Sequence, residues 1–283
     1  MQKIYTKLIH KRIRKLIKNI PAAIAIIIRY DLPFIIRKAK YRSHYHPKTI
    51  DWQWEAKRYN RVDLVNYIVE RLESDSPSYL EIGCFKDELF NAVKLQDKTG
   101  VDPVSGGTHR MTSDRFFKDS NRTFDIIFID GLHHYQQVRR DAINSLNALN
   151  SGGWIAFHDF LPSSWEEQHV PRLSGSWTGD CWKFAVELGK AEGLAFQIVT
   201  IDYGILIMQK LSADFFIPDL SHELATARFD RFLEALDSFP LCDFDEAKRY
   251  IARPATQETL LDSRAEQQKW RTREDSNSRP LDS

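Results

Sequence analysis

The amino-acid sequence predicts a doubly wound α/β fold, in which a mostly parallel sheet has an antiparallel edge strand and follows an N-terminal helical arm. Between residues 78 and 192, short apolar runs alternate with helical segments, which is typical of parallel strands joined by crossover helices. The last two apolar runs are separated only by "DYG". Because this connection is too short for a crossover helix, we expect those two strands to pair antiparallel.

The predicted elements follow one another in a regular order. Each strand is a short run rich in apolar residues, and each helix carries apolar residues at helical spacing, such as positions 138, 142, 146 and 149. In chain order they are the strand "SYLEIGC", the helix "KDELFNAVKLQ", the short strand "KTGVDP", the brief helix "MTSDRFFKD", the strand "TFDIIFIDG", the helix "QQVRRDAINSLNAL", the strand "GGWIAFHDF", a helix at about 180–192, and the strands "LAFQIVTI" and "GILIMQK".

Length and composition indicate one substantial core with appendages. The chain has 283 residues, 42% of them hydrophobic, and we assign residues 51–240 to the main domain. Residues 241–283 are expected to form a helix and then a tail that is too polar to fold, from about residue 262 onward. Three cysteines at positions 84, 181 and 242 have neither metal-ligand spacing nor an even count, which favours a reducing, cytoplasmic setting.

Residues 1–50 form a basic amphipathic arm. Residues 1–48 carry 13 Lys and Arg against one acid, so the rest of the chain has 27 basic against 38 acidic residues. One helical face is apolar and the other is basic. The apolar face holds Tyr5, Ile9, Ile13, Leu16, Ile17 and Ile20, and the basic face holds Lys3, Lys7, Lys11, Arg14 and Lys18.

Two interpretations of this arm stay open. Residues 1–40 either bind an anionic membrane surface peripherally, or pack on the body or on a second subunit in a homo-oligomer. The apolar run Ala22–Ile28 is far too short to cross a bilayer, and no small-residue cleavage site of a secretory signal follows it. Nucleic acid is not expected as a partner, because the body is acidic and lacks a basic stripe.

Polar residues follow the predicted strands at the points where the strands end. In doubly wound sheets, ligands bind outside the carboxyl ends of the strands. Taken singly, each residue has an ordinary explanation as a turn or a helix cap, but together they predict a ligand crevice. The residues are Glu81 and Gly83, then Asp102, then Thr112, Ser113 and Asp114, then Asp130, His133 and His134, then His158 and Asp159.

The first turn, "GCFKDE", has a single glycine and lacks the G-x-G-x-x-G pattern of dinucleotide sites, which argues against NAD. An acid two residues before Gly83 suits a ligand with cationic groups. S-adenosylmethionine, with its sulfonium and ammonium charges, fits this turn, and Asp102 fits its ribose hydroxyls.

Five segments, "YLEIGC", "GVDP", "FDIIFIDGLHHY", "GGWIAFHDF" and "GDCWK", resemble the class I S-adenosylmethionine-dependent methyltransferases, particularly the bacterial macrocin-type sugar O-methyltransferases. The resemblance spans about residues 77–210 and implies a seven-stranded Rossmann-like domain. It implies that Glu81 and Gly83 flank the methionine part of the donor and that Asp102 binds the ribose. It also implies that Thr112, Ser113 and Asp114 lie on the adenine side. Asp130 is expected to adjoin the donor as well. Asp87 departs from the family, since many members have a glycine there.

The resemblance also implies a Mg²⁺ ion held by Asp130, His158 and Asp159, although His158 stands where an acid is usual and Mg²⁺ prefers oxygen. Alternatively, His158 donates a hydrogen bond and Asp159 orients the substrate. A catalytic base must be neutral to accept a proton, and a histidine of ordinary pKa is mostly neutral near pH 7. The D-x-x-H spacing of the resembled family assigns this base to His133, with Asp130 as its partner. His134, one residue later, is expected to point away from the site.

The predicted reaction is O-methylation of a small hydroxylated acceptor such as a sugar or glycan precursor. The loop from Leu161 to Asp180 is expected to cover that acceptor. The alternative is a non-catalytic binding or scaffold protein that keeps the fold, for which Asp87 is the main support.

Overall fold

The computed structural model of the protein describes residues 32–253. Helices alternate with strands along most of this range, as the hydrophobic pattern predicts. The helices are α1 (Leu32–Lys40), α2 (Arg61–Val69), α3 (Glu88–Ala92), α4 (Ser113–Asp119), α5 (Tyr135–Asn147), α6 (Trp182–Gly189), α7 (Ser221–Leu224), α8 (Phe229–Leu236) and α9 (Phe244–Ile251). The strands are β1 (Ser78–Ile82), β2 (Asp97–Val101), β3 (Phe124–Ile129), β4 (Leu149–Phe157), β5 (Leu194–Val199), β6 (Ile205–Lys210) and β7 (Leu241–Cys242).

These seven strands form one sheet in the order β2-β1-β3-β4-β6-β5-β7. The pairs β1·β2, β1·β3, β3·β4 and β5·β7 are parallel, whereas β6 runs antiparallel to both β4 and β5. The doubly wound, mostly parallel fold is therefore confirmed. The reversed strand, however, is not at the edge as expected. β6 lies between β4 and β5, because it pairs with both of them rather than with β5 alone.

The core lies on both faces of the sheet, since alternate strand residues point to opposite sides. On one face, Leu80 and Ile127 pack with α5, α6 and α8; on the other, Tyr79 and Ile126 pack with α2, α3 and α9. Burial of β1 and β3 on both faces explains why these strands read as nearly continuous apolar runs.

Side-chain caps fix where several helices begin. Asn60 and Asp63 form a capping box at the start of α2, and Asp243 and Glu246 form another at the start of α9. The capping box at the start of α2 fixes the position of Arg61, which lies near the carboxyl ends of the strands.

The predicted N-terminal arm is described only from residue 32. Within that part α1 is helical, while residues 1–31 and the expected tail after residue 262 lie outside the described residues. The proposed boundaries of the arm and of the C-terminal part stay predictions. None of the helices in residues 32–253 has the length and apolar character needed to span a bilayer.

Candidate functional site

A cavity of about 810 Å³ opens at the carboxyl ends of β1, β3 and β4. Its walls include residues from the first turn, the β3 and β4 ends, the start of α2, the loop before α6 and the β5–β6 turn. Of the predicted site residues, the cavity brings together six, namely Glu81, Gly83, Asp130, His133, His158 and Asp159.

His133 lies between two carboxylates from different strands. Its Nε2 is 3.1 Å from Asp130 Oδ1, and its Nδ1 is 3.0 Å from Asp159 Oδ2. The ring stacks on Trp177, with the two ring centroids 5.2 Å apart. The D-x-x-H spacing therefore does direct His133 into the crevice. His134 is not among the cavity-lining residues, and its ring meets Trp177 edge-on.

The carboxylates change the protonation of His133. Burial acts to lower its pKa, but hydrogen bonds and charge attraction from Asp130 and Asp159 outweigh burial and raise the pKa to about 10. The expectation of a mostly neutral His133 near pH 7 is therefore wrong for the ligand-free site. Both carboxylates remain ionised, because the two neighbouring histidines hold the pKa of Asp130 and of Asp159 below the ordinary value against the effect of burial.

His158 is buried beneath this group. Its Nδ1 lies 3.2 Å from Asp159 Oδ1 and 3.5 Å from Asp130 Oδ1, and its Nε2 lies 3.3 Å from Asp202 Oδ1. Burial opposes the charged form, yet the carboxylates raise the pKa of His158 well above its ordinary value. Neither ring nitrogen makes a well-directed hydrogen bond to a described residue, so these ion-pair contacts are what hold the imidazolium.

Arg61 and Asp202 complete the charged network, and the sequence analysis missed both. Arg61 Nη1 donates to Asp130 Oδ2 at 2.7 Å, and its Nε donates to Asp202 Oδ2 at 2.7 Å. Asp202 belongs to "DYG", which the sequence analysis treated only as a turn. An acid that follows the apolar run of β5 could have been added to the strand-end residues, whereas Arg61 is the first residue of a helix and gave no such signal.

The described residues that could hold a metal ion together are Asp130, His133 and Asp159, whose ligand atoms all lie within 4.8 Å of one another. His133 takes the place that the sequence analysis gave to His158. The reason is geometric, since His158 lies deeper and its Nε2 turns to Asp202. Two carboxylate oxygens and one imidazole nitrogen suit a divalent cation, and the nitrogen makes the set less selective for Mg²⁺ than all-oxygen ligands.

The loop from Leu161 to Asp180 packs on the site through its last residues. Gly179 has φ +62°, and a Cβ there would lie 1.8 Å from the carbonyl oxygen of His133. Asp180 Oδ1 accepts a hydrogen bond from the Tyr135 N–H at 2.8 Å, so this first backbone N–H of α5 has a partner. Within this loop Trp177 lines the cavity, whereas Trp165 and His169 are buried in the body, as is Trp182 just after the loop.

Glu81 is 2% exposed at the end of β1 and accepts the Tyr79 hydroxyl at 2.5 Å. Burial, with added repulsion from Asp130 and Asp87, raises the pKa of Glu81 to about 7. Gly83 has φ +88°, and a Cβ there would lie 2.1 Å from the Asp130 carbonyl oxygen. The glycine is thus required for packing of β1 against β3, so a larger residue would damage the fold before it reached a ligand.

The remaining predicted donor residues do not line this cavity. Asp102 accepts backbone N–H groups from Phe85, Val104 and Ser105. Burial opposes ionisation, but these three hydrogen bonds lower the pKa of Asp102 below its ordinary value.

Thr112, rather than Ser113, caps α4 by accepting the Arg115 N–H. Gln137 of α5 donates to both Ser113 and Asp114. The polar residues expected on the adenine side therefore tie α4 to α5.

Asp87 keeps the backbone conformation of the glycine that it replaces. Its φ is +61°, in the left-handed region that favours glycine. Its Oδ1 accepts the Gly107 N–H at 2.6 Å, so the side chain links the first turn to the loop after β2.

Comparison with known proteins agrees with this architecture. Residues 39–160 match the sequence model of a family described as a methyltransferase domain. An uncharacterised protein of Acanthamoeba polyphaga mimivirus is 25% identical over a match that covers 39% of this chain and 64% of that protein. The chain thus spans somewhat under two thirds of that relative.

Solved structures with detectable similarity include an O-methyltransferase from Bacillus cereus in complex with SAH, at 11% identity and a TM-score of 0.40, covering 69% of this chain and 99% of that one. A putative O-methyltransferase from Klebsiella pneumoniae has 14% identity and a TM-score of 0.42, covering 70% and 94%. The MycE methyltransferase of the mycinamycin pathway, in complex with Mg, SAH and mycinamycin VI, has 15% identity and a TM-score of 0.32, covering 48% and 45%.

These similarities assign no residue role in the present chain. The family match covers residues 39–160, under half of the 283 residues, and shows that this segment is similar to a methyltransferase domain. The same segment contains the parallel strands β1 to β4, and the carboxyl ends of β1, β3 and β4 border the cavity.

Proposed function

We propose that the protein transfers the methyl group of S-adenosylmethionine to a hydroxyl group of a small acceptor such as a sugar or a glycan precursor. The convergence of Glu81, Asp130, His133 and Asp159 on one cavity supports this proposal most strongly. The cavity volume of about 810 Å³ lies in the range of small-molecule sites.

The donor is proposed to lie against β1 and its turn. Glu81 faces the cavity with a carboxylate that ionises near neutral pH, which suits the ammonium group of the methionine part. Asp102 Oδ2 accepts one backbone N–H, from Phe85, and keeps capacity for a ribose hydroxyl. For Thr112, Ser113 and Asp114, contact with the adenine stays a prediction.

His133 is our candidate for the group that receives the acceptor proton. An acceptor hydroxyl is a weak nucleophile at neutral pH, and a positioned base typically contributes about 10²- to 10⁴-fold. Asp130 and Asp159 fix the imidazole from both sides, and Trp177 fixes the plane of its ring. A bound cationic donor opposes the imidazolium charge and so lowers the pKa of His133 from about 10 toward the working range.

A divalent cation also fits Asp130, His133 and Asp159, and it would polarise an acceptor oxygen as a Lewis acid. This is an alternative to the base role of His133, because a ring nitrogen that binds the ion cannot receive the acceptor proton. The two carboxylates supply the negative charge that such an ion needs. Arg61, already bonded to Asp130, holds that carboxylate in place from the opposite side.

A sugar acceptor is compatible with the aromatic residues of the cavity. Trp177 and Tyr203 both line it, and aromatic residues suit sugar rings and apolar rings alike, so they are compatible with a sugar without selecting it. The non-catalytic alternative loses its main support, because Asp87 adopts the conformation of the expected glycine and turns its side chain to Gly107.

The direct test is methyl transfer from methyl-labelled S-adenosylmethionine to a panel of free sugars, nucleotide-activated sugars and phenols, with and without added Mg²⁺ or Mn²⁺. We expect acceptor-dependent release of S-adenosylhomocysteine that is lost in Asp159→Asn and retained in His134→Ala. Donor binding without turnover on any acceptor would favour the scaffold alternative.

A further inference from the structure

Helix α1 presents an apolar face that points away from the body. Leu32, Ile35, Ile36 and Ala39 have the i, i+3, i+4, i+7 spacing of one helical face. Leu32, Ile35 and Ile36 are 40%, 56% and 60% exposed, and no residue of α1 is buried. Exposed isoleucines at this spacing indicate a binding surface.

The opposite side of α1 is the one that meets the body. Lys38 Nζ forms an ion pair with Glu166 Oε2 at 2.5 Å, and Phe34 is half-buried. Tyr41, directly after the helix, packs on His169 with ring centroids 4.6 Å apart. Because positions 37, 38 and 41 contact the body, the face at 32, 35, 36 and 39 is held outward rather than free to turn inward.

Charge favours an anionic lipid surface as the occupant of this face. Lys40 is exposed beside the apolar residues, whereas Arg37 is turned to the body, where its Nη1 donates to the Arg172 carbonyl oxygen at 3.2 Å. Residues 1–48 contain 13 Lys and Arg against one acid, in a chain whose other residues are acidic overall. An apolar face bordered by basic residues is the pattern of a helix that lies in the plane of an anionic membrane interface.

We propose that the exposed face of α1, formed by Leu32, Ile35, Ile36 and Ala39, docks the protein onto an anionic membrane surface. The apolar side chains enter the boundary between headgroups and acyl chains, while Lys40 contacts the headgroups. The helix lies on the bilayer and does not cross it.

The test is flotation of the full chain with phosphatidylcholine vesicles that either contain or lack phosphatidylglycerol. We expect binding to the anionic vesicles, weaker binding at high salt, and little binding to the neutral ones. The double variant Ile35→Asp, Ile36→Asp should lower the partition coefficient at least about tenfold, because two side chains lose their transfer out of water.

The control is Phe216→Asp, which adds one negative charge at another exposed apolar residue, 60% accessible. It should bind vesicles like the unmodified protein, and both variants should keep the thermal midpoint. Undiminished binding of the double variant, or no binding of the unmodified protein to anionic vesicles, overturns the proposal. A vesicle-independent dimer that the double variant dissociates in sedimentation velocity would assign the face to a second copy instead.

Discussion

Replacing Glu81 by Gln should change how the stability of the protein depends on pH. Glu81 is 2% exposed, and burial raises its pKa from 4.5 to about 7. The folded state therefore binds this proton more tightly than the unfolded state does. The stabilisation is fully present below pH 4.5 and is lost as the pH rises through about 7.

The size of the effect follows from the shift. At 1.36 kcal/mol per pKa unit, ionised Glu81 costs the folded state roughly 3 kcal/mol above pH 7. Glutamine has no such charge, so the difference in unfolding free energy between the two proteins should grow by that amount, in favour of Gln, as the pH rises from about 4.5 to 8. Urea unfolding of both ligand-free proteins across this range measures the difference.

Tyr79→Phe provides the matched control. It removes the hydroxyl that stabilises the carboxylate, so the pH-dependent loss should move to higher pH. A difference in unfolding free energy between the unmodified protein and Glu81→Gln that does not vary with pH would refute the reasoning. In the presence of S-adenosylmethionine, donor affinity should rise with pH through about 7 in the unmodified protein and stay flat in Glu81→Gln.

Three further predictions concern the groups around His133. Gly179→Ala should destabilise the protein by about 3 kcal/mol, because φ is +62° and the new Cβ meets the His133 carbonyl, whereas Gly175→Ala, with open space, should leave the thermal midpoint unchanged. His133→Ala should lower turnover at least about 10²-fold without weakening donor binding, and His134→Ala much less; equal losses in steady-state kinetics would remove His133 from the mechanism. Arg61→Ala should cost about 2 kcal/mol in urea unfolding by removing the guanidinium shared by Asp130 and Asp202, and Arg61→Lys should recover part of it; no loss in either variant would contradict the network.

The sequence predicts the parallel part of the sheet well because its strands are buried on both faces. β1, β3 and β4 read as continuous apolar runs, and their ends identify Asp130 and Asp159 correctly as neighbours. The position of β6 could not be read in the same way, because strand order depends on contacts between distant segments. The short turn indicates that β5 and β6 are antiparallel, but it does not indicate that β6 lies between β4 and β5 in the sheet.

In the charged network too, the sequence predicts local neighbours but not contacts between distant segments. The D-x-x-H spacing places His133 beside Asp130, but its protonation also depends on Asp159, which lies on another strand. Arg61 and Asp202 are 141 residues apart and meet only in the fold. Similarly, the three backbone N–H groups that occupy Asp102 come from turns whose geometry the sequence does not specify.

The central claim is that the cavity at the strand ends binds S-adenosylmethionine. Isothermal titration calorimetry of the protein with S-adenosylmethionine, S-adenosylhomocysteine and NAD tests it most directly. We predict saturable binding of the first two at one site per chain and none of NAD, with the affinity for S-adenosylmethionine weakened in Glu81→Gln at pH 8. Binding of NAD without S-adenosylmethionine, or no binding of any of the three, would contradict the account.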